Sequence, residues 1–127
     1  MTANAIRLVL ASASPARLRT LRQAGLWPEV VVSGVDESAV ESDSVPSLVA
    51  ELARLKAESV ADRLASDETP TVVMGCDSML DLDGTALGKP GSTAEAVKRW
   101  RRMTGRSAVL HTGHHVIMKQ GAGSSVR

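Results

Sequence analysis

A short polar loop at residues 12–14 carries the first side chains that could do chemistry. It follows an apolar run at residues 6–11, which predicts a buried strand, and it precedes a helix that a proline would start. A helix N-terminus offers free backbone N–H groups and the positive end of the helix dipole, and both suit a phosphate. The hydroxyls of Ser12 and Ser14 and the guanidinium of Arg17 would add donors for the same anion.

Ser14 also fits the N-cap position of that helix, and capping alone would explain it. The two roles are compatible. Arg17 would lie in the first helical turn, where a cation is unfavourable unless an anion is present. This local conflict indicates a ligand at the loop.

Three acidic residues follow predicted strands. Asp36 and Glu37 come after the valine-rich run at residues 29–33, and Asp77 follows the run at residues 71–76. Ligands of open α/β sheets bind beyond the strand ends, where carboxylates can hold a divalent cation or take a proton from an attacking water. For Asp36 and Glu37, solvated turn acids are an equally good interpretation. An acid leaving a buried strand, as predicted for Asp77, tends to be paired or functional.

Two lysines are candidates of different kinds. Lys89 lies in a Gly-Lys-Pro tripeptide and could neutralise charge on a leaving pyrophosphate. The tripeptide is weak evidence by itself, because it lacks the glycine spacing of a P-loop and the Ser or Thr that follows the lysine there. Lys56 lies inside a long predicted helix, and its position alone predicts a solvated side chain.

The histidines and the single cysteine are not expected to form a site. On a strand, His111 and His115 would share a face at a separation of roughly 13 Å, and His114 would face the other side, so a zinc site is not predicted. Cys76 could be a nucleophile only with a nearby base that the sequence does not identify. A small buried core residue is the better interpretation of Cys76.

Strands and helices alternate along the chain, which favours an α/β fold. Asp83-Gly84 has the composition of a primed hairpin turn, so we expect a mixed twisted sheet flanked by helices. Ser92 and Glu95 have the spacing of a capping box. The predicted elements are strands at 6–11 and 29–33, a helix from Pro15 closed by Gly25, a helix at 46–64, strands at 71–76, 78–82 and 86–87, a helix from Ser92 closed by Gly105, and an extended segment at 107–118, with loops at 38–45 and 66–70.

The composition excludes several classes of function. The 127 residues suffice for one domain or one lobe of a larger one. The chain has no Phe, no Tyr and two Trp, so it lacks the aromatic platforms of single-strand nucleic-acid binders. A net charge of +1 provides no broad attraction for a nucleic-acid polymer or a membrane. One cysteine, and no signal peptide or long apolar run, predict a cytoplasmic protein.

Five short motifs, taken in their order and spacing, resemble the Maf family, also called septum formation inhibitors. The resemblance spans about residues 8–118, and its motifs lie at residues 10–17, 35–37, 52–57, 75–78 and 88–90. It implies the fold shared by Maf and ITPase-like proteins. It also implies hydrolysis of nucleoside triphosphates to the monophosphate and pyrophosphate, with a divalent metal cation, Mg²⁺ or Mn²⁺, as cofactor.

The resemblance also assigns roles to individual residues. Asp77, Glu37 and Lys89 are expected to be catalytic, with Asp77 as the base and both acids at the metal. Lys56 owes its role to the resemblance alone. The residues expected to bind the substrate are Ser12, Ser14, Arg17, Lys56 and Lys89.

The chain departs from the family pattern at two positions and at its end. Ala16 stands where many members carry an arginine, and Ser78 stands where a threonine is common. Members continue with a glycine-rich segment and a final helix, so the resemblance implies that the C-terminal part of the fold is missing. The predicted domain is then residues 1–118, followed by a flexible glycine- and serine-rich tail at 119–127.

The expected function is water attack at the α-phosphorus of a nucleoside triphosphate, either a normal pyrimidine nucleotide or a modified one. The alternative is a catalytically incomplete protein that binds nucleotide or acts as a regulator. Base preference stays open at this point. So does the oligomeric state, for which a homodimer is the commonest arrangement.

Overall fold

The computed structural model describes residues 6–64 and 69–120, and these form a sheet with three helices. The alternation expected from the sequence is confirmed. In chain order the elements are β1 (Arg7–Ala11), α1 (Pro15–Gln23), β2 (Glu29–Val30), a 3-10 turn (Glu37–Ala39), α2 (Val45–Arg63), β3 (Thr71–Leu82), β4 (Thr85–Leu87), α3 (Thr93–Met103) and β5 (Val109–Lys119).

The sheet is mixed, as predicted. β1 lies between β2 and β3 and is parallel to both, whereas β4 and β5 each pair with β3 in the antiparallel direction. The turn between β3 and β4 has φ of 51° at Asp83 and 87° at Gly84. Two successive positive φ values are typical of a primed turn, so the hairpin prediction is confirmed.

β3 runs without interruption through the position where a strand end was expected. The prediction that the strand stops at Cys76 and leaves Asp77 at its end is wrong, because Asp77 pairs with Gly113 and Ser78 with Thr112 in the middle of the ladder to β5. The polar side chains of Asp77 and Ser78 suggested that the strand ends there, but the backbone pairing with β5 continues past both residues.

β2 is shorter than the predicted strand at residues 29–33. Its residues Glu29 and Val30 pair with Val9 and Leu10, and Val31 donates one further backbone hydrogen bond to Leu10. β1 ends at Ala11, so the residues beyond 31 have no strand beside them to pair with.

The core lies between α2 and one face of the sheet. It contains Val9 of β1, Val60 of α2, Val73 of β3 and Ile117 of β5, all of them buried. Glycines allow the helix backbone to approach the sheet closely. A Cβ on Gly75 would lie 2.1 Å from the Ala53 carbonyl oxygen, which leaves no room for any side chain there.

The other two helices are attached more loosely. Neither α1 nor α3 buries a side chain among the described residues. Across residues 6–64 and 69–120, no helix has both the length and the apolar character needed to cross a membrane. β5 ends at Lys119, one residue beyond the expected domain boundary. Residues 66–68 of the predicted loop at 66–70 and residues 121–127 of the predicted tail at 119–127 lie outside the described residues.

Candidate active site

A gap in the sheet forms the candidate site. β5 covers one side of β3 along residues 71–81, so the other two partners of β3 must share its opposite side. There β1 pairs with residues 71–75 and β4 pairs with residues 80–82. Residues 76–79 therefore have no strand partner on that side, and a cavity of about 620 Å³ opens beside them.

All seven residues predicted for the site line this cavity. The loop after β1, α1, the 3-10 turn, α2, β3 and the loop after β4 each contribute. The residues are Ser12, Ser14, Arg17, Glu37, Lys56, Asp77 and Lys89. Asp36 does not line the cavity, and its carboxylate instead caps the 3-10 turn by accepting from the Ser38 backbone N–H at 3.1 Å.

Asp77 and Lys56 form a buried ion pair at the floor of the cavity. Lys56 Nζ lies 2.8 Å from Asp77 Oδ1 and 3.4 Å from Glu37 Oε1. The Lys56 and Asp77 side chains are only 13% and 8% exposed, whereas Glu37 is 47% exposed. Asp77 Oδ2 is buried and accepts no hydrogen bond from the described part of the chain. A buried carboxylate oxygen without a partner is costly, so this atom marks a place for a ligand.

The close approach of α2 explains this pairing. Gly75 lets the backbone around Ala53 and Ala57 contact β3 directly. Lys56 precedes Ala57 in the helix, and Asp77 lies two residues beyond Gly75, on the same face of the strand. The helix thereby carries a lysine into a buried position, although helical spacing alone predicted a solvated one.

Arg17 is held over the cavity by two hydroxyls. Its Nη1 donates to Ser12 Oγ at 3.1 Å, and its Nη2 donates to Ser78 Oγ at 2.8 Å. The Ser78 hydroxyl also bonds the Thr112 hydroxyl at 2.9 Å. Within residues 6–64 and 69–120, no carboxylate forms an ion pair with Arg17. The guanidinium is thus oriented by neutral acceptors and keeps its charge for an anion.

Ser14 caps α1, as predicted. Its Oγ accepts from the Arg17 backbone N–H at 3.3 Å, and the Ser14 N–H in turn donates to Ser12 Oγ at 3.2 Å. These bonds fold the loop tightly at the helix N-terminus. Thr112 was not predicted, because its contact depends on a register opposite Ser78 that no local signal indicates.

Comparison with known proteins identifies the family of this chain. A family model described as Maf-like protein matches residues 7–127. The chain belongs to this family. Similar proteins include one from Salinispora tropica, 57% identical over 113 residues, which cover 88% of this chain and 50% of that protein. A Streptomyces coelicolor protein is 56% identical over 110 residues, covering 87% and 52% of the two chains.

A Synechococcus elongatus protein is 52% identical over 111 residues, covering 87% of this chain and 54% of its own. All three relatives bear the name nucleoside triphosphate pyrophosphatase. The Maf-like chain spans about half the length of these curated relatives.

The acids of the Maf-like cavity suit a hard divalent cation only together with a ligand. Asp77 Oδ1 and Glu37 Oε1 lie 2.8 Å and 3.4 Å from the same Lys56 ammonium, so the two carboxylates are close together. No group of three or more His, Cys, Asp or Glu side chains that could hold a metal occurs among the described residues. Mg²⁺ is commonly held by one or two carboxylates plus substrate phosphates, and this donor set fits that pattern.

The three histidines of the Maf-like chain lie on β5, opposite Gly75, Cys76 and Met79 of β3. His111 and His115 are on the same face of the strand and His114 is on the opposite face, as the spacing predicted. His111 Nε2 lies 3.4 Å from Asp81 Oδ2. None of the three lines the cavity.

Cys76 is expected to react slowly with alkylating reagents. The side chain is buried, and burial raises the pKa of its thiol, so little thiolate exists near neutral pH. Iodoacetamide labelling of the folded chain at pH 7.5 should be at least about tenfold slower than labelling of the urea-unfolded chain. Fast labelling of the folded chain, or loss of activity in Cys76→Ala at unchanged stability, would bring back the nucleophile interpretation.

Proposed function

We propose that this chain hydrolyses nucleoside triphosphates to the monophosphate and pyrophosphate. The observation that carries the proposal is the composition of the cavity. Three features meet in the cavity. Asp77 is a buried carboxylate whose Oδ2 has no hydrogen-bond partner among the described residues. The capped N-terminus of α1 and Arg17, which has no carboxylate partner in the same part of the chain, lie beside it. The name of the relatives supports the same reaction.

The phosphate chain would bind at the end of β1. The N-terminal amides of α1 and the hydroxyls of Ser12 and Ser14 offer donors there, and Arg17 adds a fork of two N–H groups. Lys89 lies across the cavity and would neutralise the charge that develops on the leaving pyrophosphate. The substrate would thus be held from two sides of the gap in the sheet.

Asp77 would act as the general base. Lys56 donates to Oδ1 and so fixes the orientation of the carboxylate, which leaves Oδ2 to accept the proton of a water. The water oxygen bonds to the α-phosphorus, and the bond to the oxygen that bridges to the β-phosphate breaks. Pyrophosphate then leaves with the electrons of that bond.

Asp77 and Glu37 would hold Mg²⁺ or Mn²⁺ together with the substrate phosphates. The metal would supply charge neutralisation at the reacting phosphate. The substrate, whether a normal pyrimidine or a modified nucleotide, a cytoplasmic location and a homodimer stay predictions.

A panel of nucleoside triphosphates with Mg²⁺ or Mn²⁺, scored for released pyrophosphate, tests the proposal. Turnover above a metal-only control supports the enzyme. The second candidate is a protein that binds nucleotide without turnover. Absence of turnover together with a raised melting temperature in triphosphate would refute the enzyme and support the binding protein.

Arg17→Lys is expected to raise KM for the triphosphate about tenfold, because lysine cannot donate two parallel hydrogen bonds to a phosphate. Arg19→Lys on the same helix is the matched control, since Arg19 is exposed and its side chain forms no hydrogen bond or ion pair within residues 6–64 and 69–120. Steady-state kinetics of both variants provide the comparison. Equal KM values for the two would remove Arg17 from the phosphate site.

A further inference from the structure

The loop that carries Lys89 is bound to α3 by two side chains. The Gly91 backbone N–H donates to Glu95 Oε2 at 2.9 Å, and Arg99 Nη2 donates to Glu95 Oε1 at 2.8 Å. Arg99 Nη1 donates to the Gly88 carbonyl oxygen. We call this arrangement the Glu95–Arg99 clamp, and it holds the loop on both sides of Lys89.

The clamp follows from helical spacing. Glu95 and Arg99 lie one turn apart on α3, so their side chains meet on one face of the helix. The pKa of Glu95 is lowered, first by the Gly91 N–H and then by the charge of Arg99, so the carboxylate stays ionised at neutral pH. Hydrogen bonds to ionised groups are stronger than neutral ones.

The capping box predicted from the sequence accounts for only part of this contact. Ser92 Oγ accepts from the Glu95 backbone N–H at 3.1 Å, as expected of such a box. The Glu95 carboxylate, however, binds the N–H of Gly91 and not that of Ser92. It therefore reaches back into the loop and holds more than the first turn of the helix.

Besides the clamp, an ion pair between Arg106 and Asp83 joins the segment after α3 to the turn between β3 and β4. α3 buries no side chain among the described residues, and Arg99, at 20% exposure, is one of its better covered side chains. Lys89 forms no ion pair within residues 6–64 and 69–120. Its position at the cavity therefore depends on the backbone that carries it.

We propose that Glu95 and Arg99 are positioning residues that hold the backbone of the loop so that the Lys89 ammonium faces the triphosphate. This inference rests on the proposed function. Neither residue lines the cavity, so both act through Lys89. Holding a catalytic group in place before the substrate arrives avoids an entropic cost during the reaction.

The clamp can be measured without any nucleotide. Backbone amide exchange of Gly91, followed by NMR in the free chain, should become about tenfold faster in Arg99→Ala, because Arg99 no longer binds the Gly88 carbonyl oxygen or orients the Glu95 carboxylate that accepts from the Gly91 N–H. Arg101→Ala is the matched control, since Arg101 lies on the same helix, is exposed and forms no side-chain hydrogen bond or ion pair in the described part of the chain. If Arg99→Ala loses helix content by circular dichroism, Glu95→Gln replaces it.

Whether the Glu95–Arg99 clamp acts through Lys89 is tested by combining Arg99→Ala with Lys89→Ala. Arg99→Ala should lower kcat/KM about tenfold when Lys89 is present and less than about twofold in the Lys89→Ala background. A merely structural role would lower kcat/KM by the same factor in both backgrounds. Equal factors would overturn the proposal.

Two other results would also be decisive. Unchanged amide exchange in Arg99→Ala, together with normal turnover of the unsubstituted chain, would overturn the clamp and leave the proposed function intact. Absence of both turnover and triphosphate binding in the unsubstituted chain would overturn the proposed function and, with it, the purpose assigned to the clamp.

Discussion

Replacement of Asp77 by Asn is expected to lower kcat for triphosphate hydrolysis about 1,000-fold or more. The amide has nearly the shape of the carboxylate but cannot accept the proton of the attacking water. Lys56 keeps Glu37 at 3.4 Å as a partner, so the ion pair at the floor of the cavity is only partly lost. Triphosphate binding should therefore survive, measured as a rise in melting temperature with added substrate.

A control for the lost charge is Asp62→Asn. Asp62 lies on α2, is exposed and forms no ion pair among the described residues, so its replacement should leave pyrophosphate release unchanged. Full activity in the Asp77 variant would remove this residue as the base. Loss of activity together with loss of binding would indicate that Asp77 mainly supports the substrate.

Replacement of Gly75 by Ala is expected to have the largest effect on folding. The added Cβ would lie 2.1 Å from the Ala53 carbonyl oxygen and 2.9 Å from the Ala57 backbone nitrogen. Both are backbone atoms of α2, so no rotation of a side chain relieves the clash. We expect a loss of about 3 kcal/mol or more in the free energy of unfolding, measured in urea.

The same substitution should also disturb the site. α2 can accommodate the methyl group only by moving away from β3, and that movement carries Lys56 away from Asp77. Gly88→Ala is the control for stability, because its Cβ would meet only Met79 Sδ at 3.6 Å, an ordinary contact. A Gly75→Ala chain as stable as the unsubstituted one would contradict the close approach of α2.

Several parts of the fold were predictable because their causes are local. Ser14 and Ser92 each accept the backbone N–H three residues ahead, as N-caps do. Asp83 and Gly84 adopt the positive φ values that a primed turn requires. In each case a few consecutive residues contain the whole interaction, so their types were enough.

The extent of β3, the strand that carries Asp77, could not be predicted from local sequence. Its polar residues suggested a strand end, yet pairing with β5, which begins more than thirty positions after Asp77, keeps β3 extended through Asp81. Whether a residue in a strand pairs depends on its neighbour across the sheet, and short sequence patterns do not contain that neighbour.

The same division applies to the candidate site. The sequence by itself determined which residue types could bind phosphate at residues 12–17, and the resemblance added Lys56. Only the tertiary structure decided that β1 and β4 leave a gap beside residues 76–79, that Thr112 meets Ser78, and that Arg99 holds the loop of Lys89. These contacts join residues far apart in the chain or depend on where a loop folds, so they exist only once the sheet has assembled and α2 has packed against Gly75.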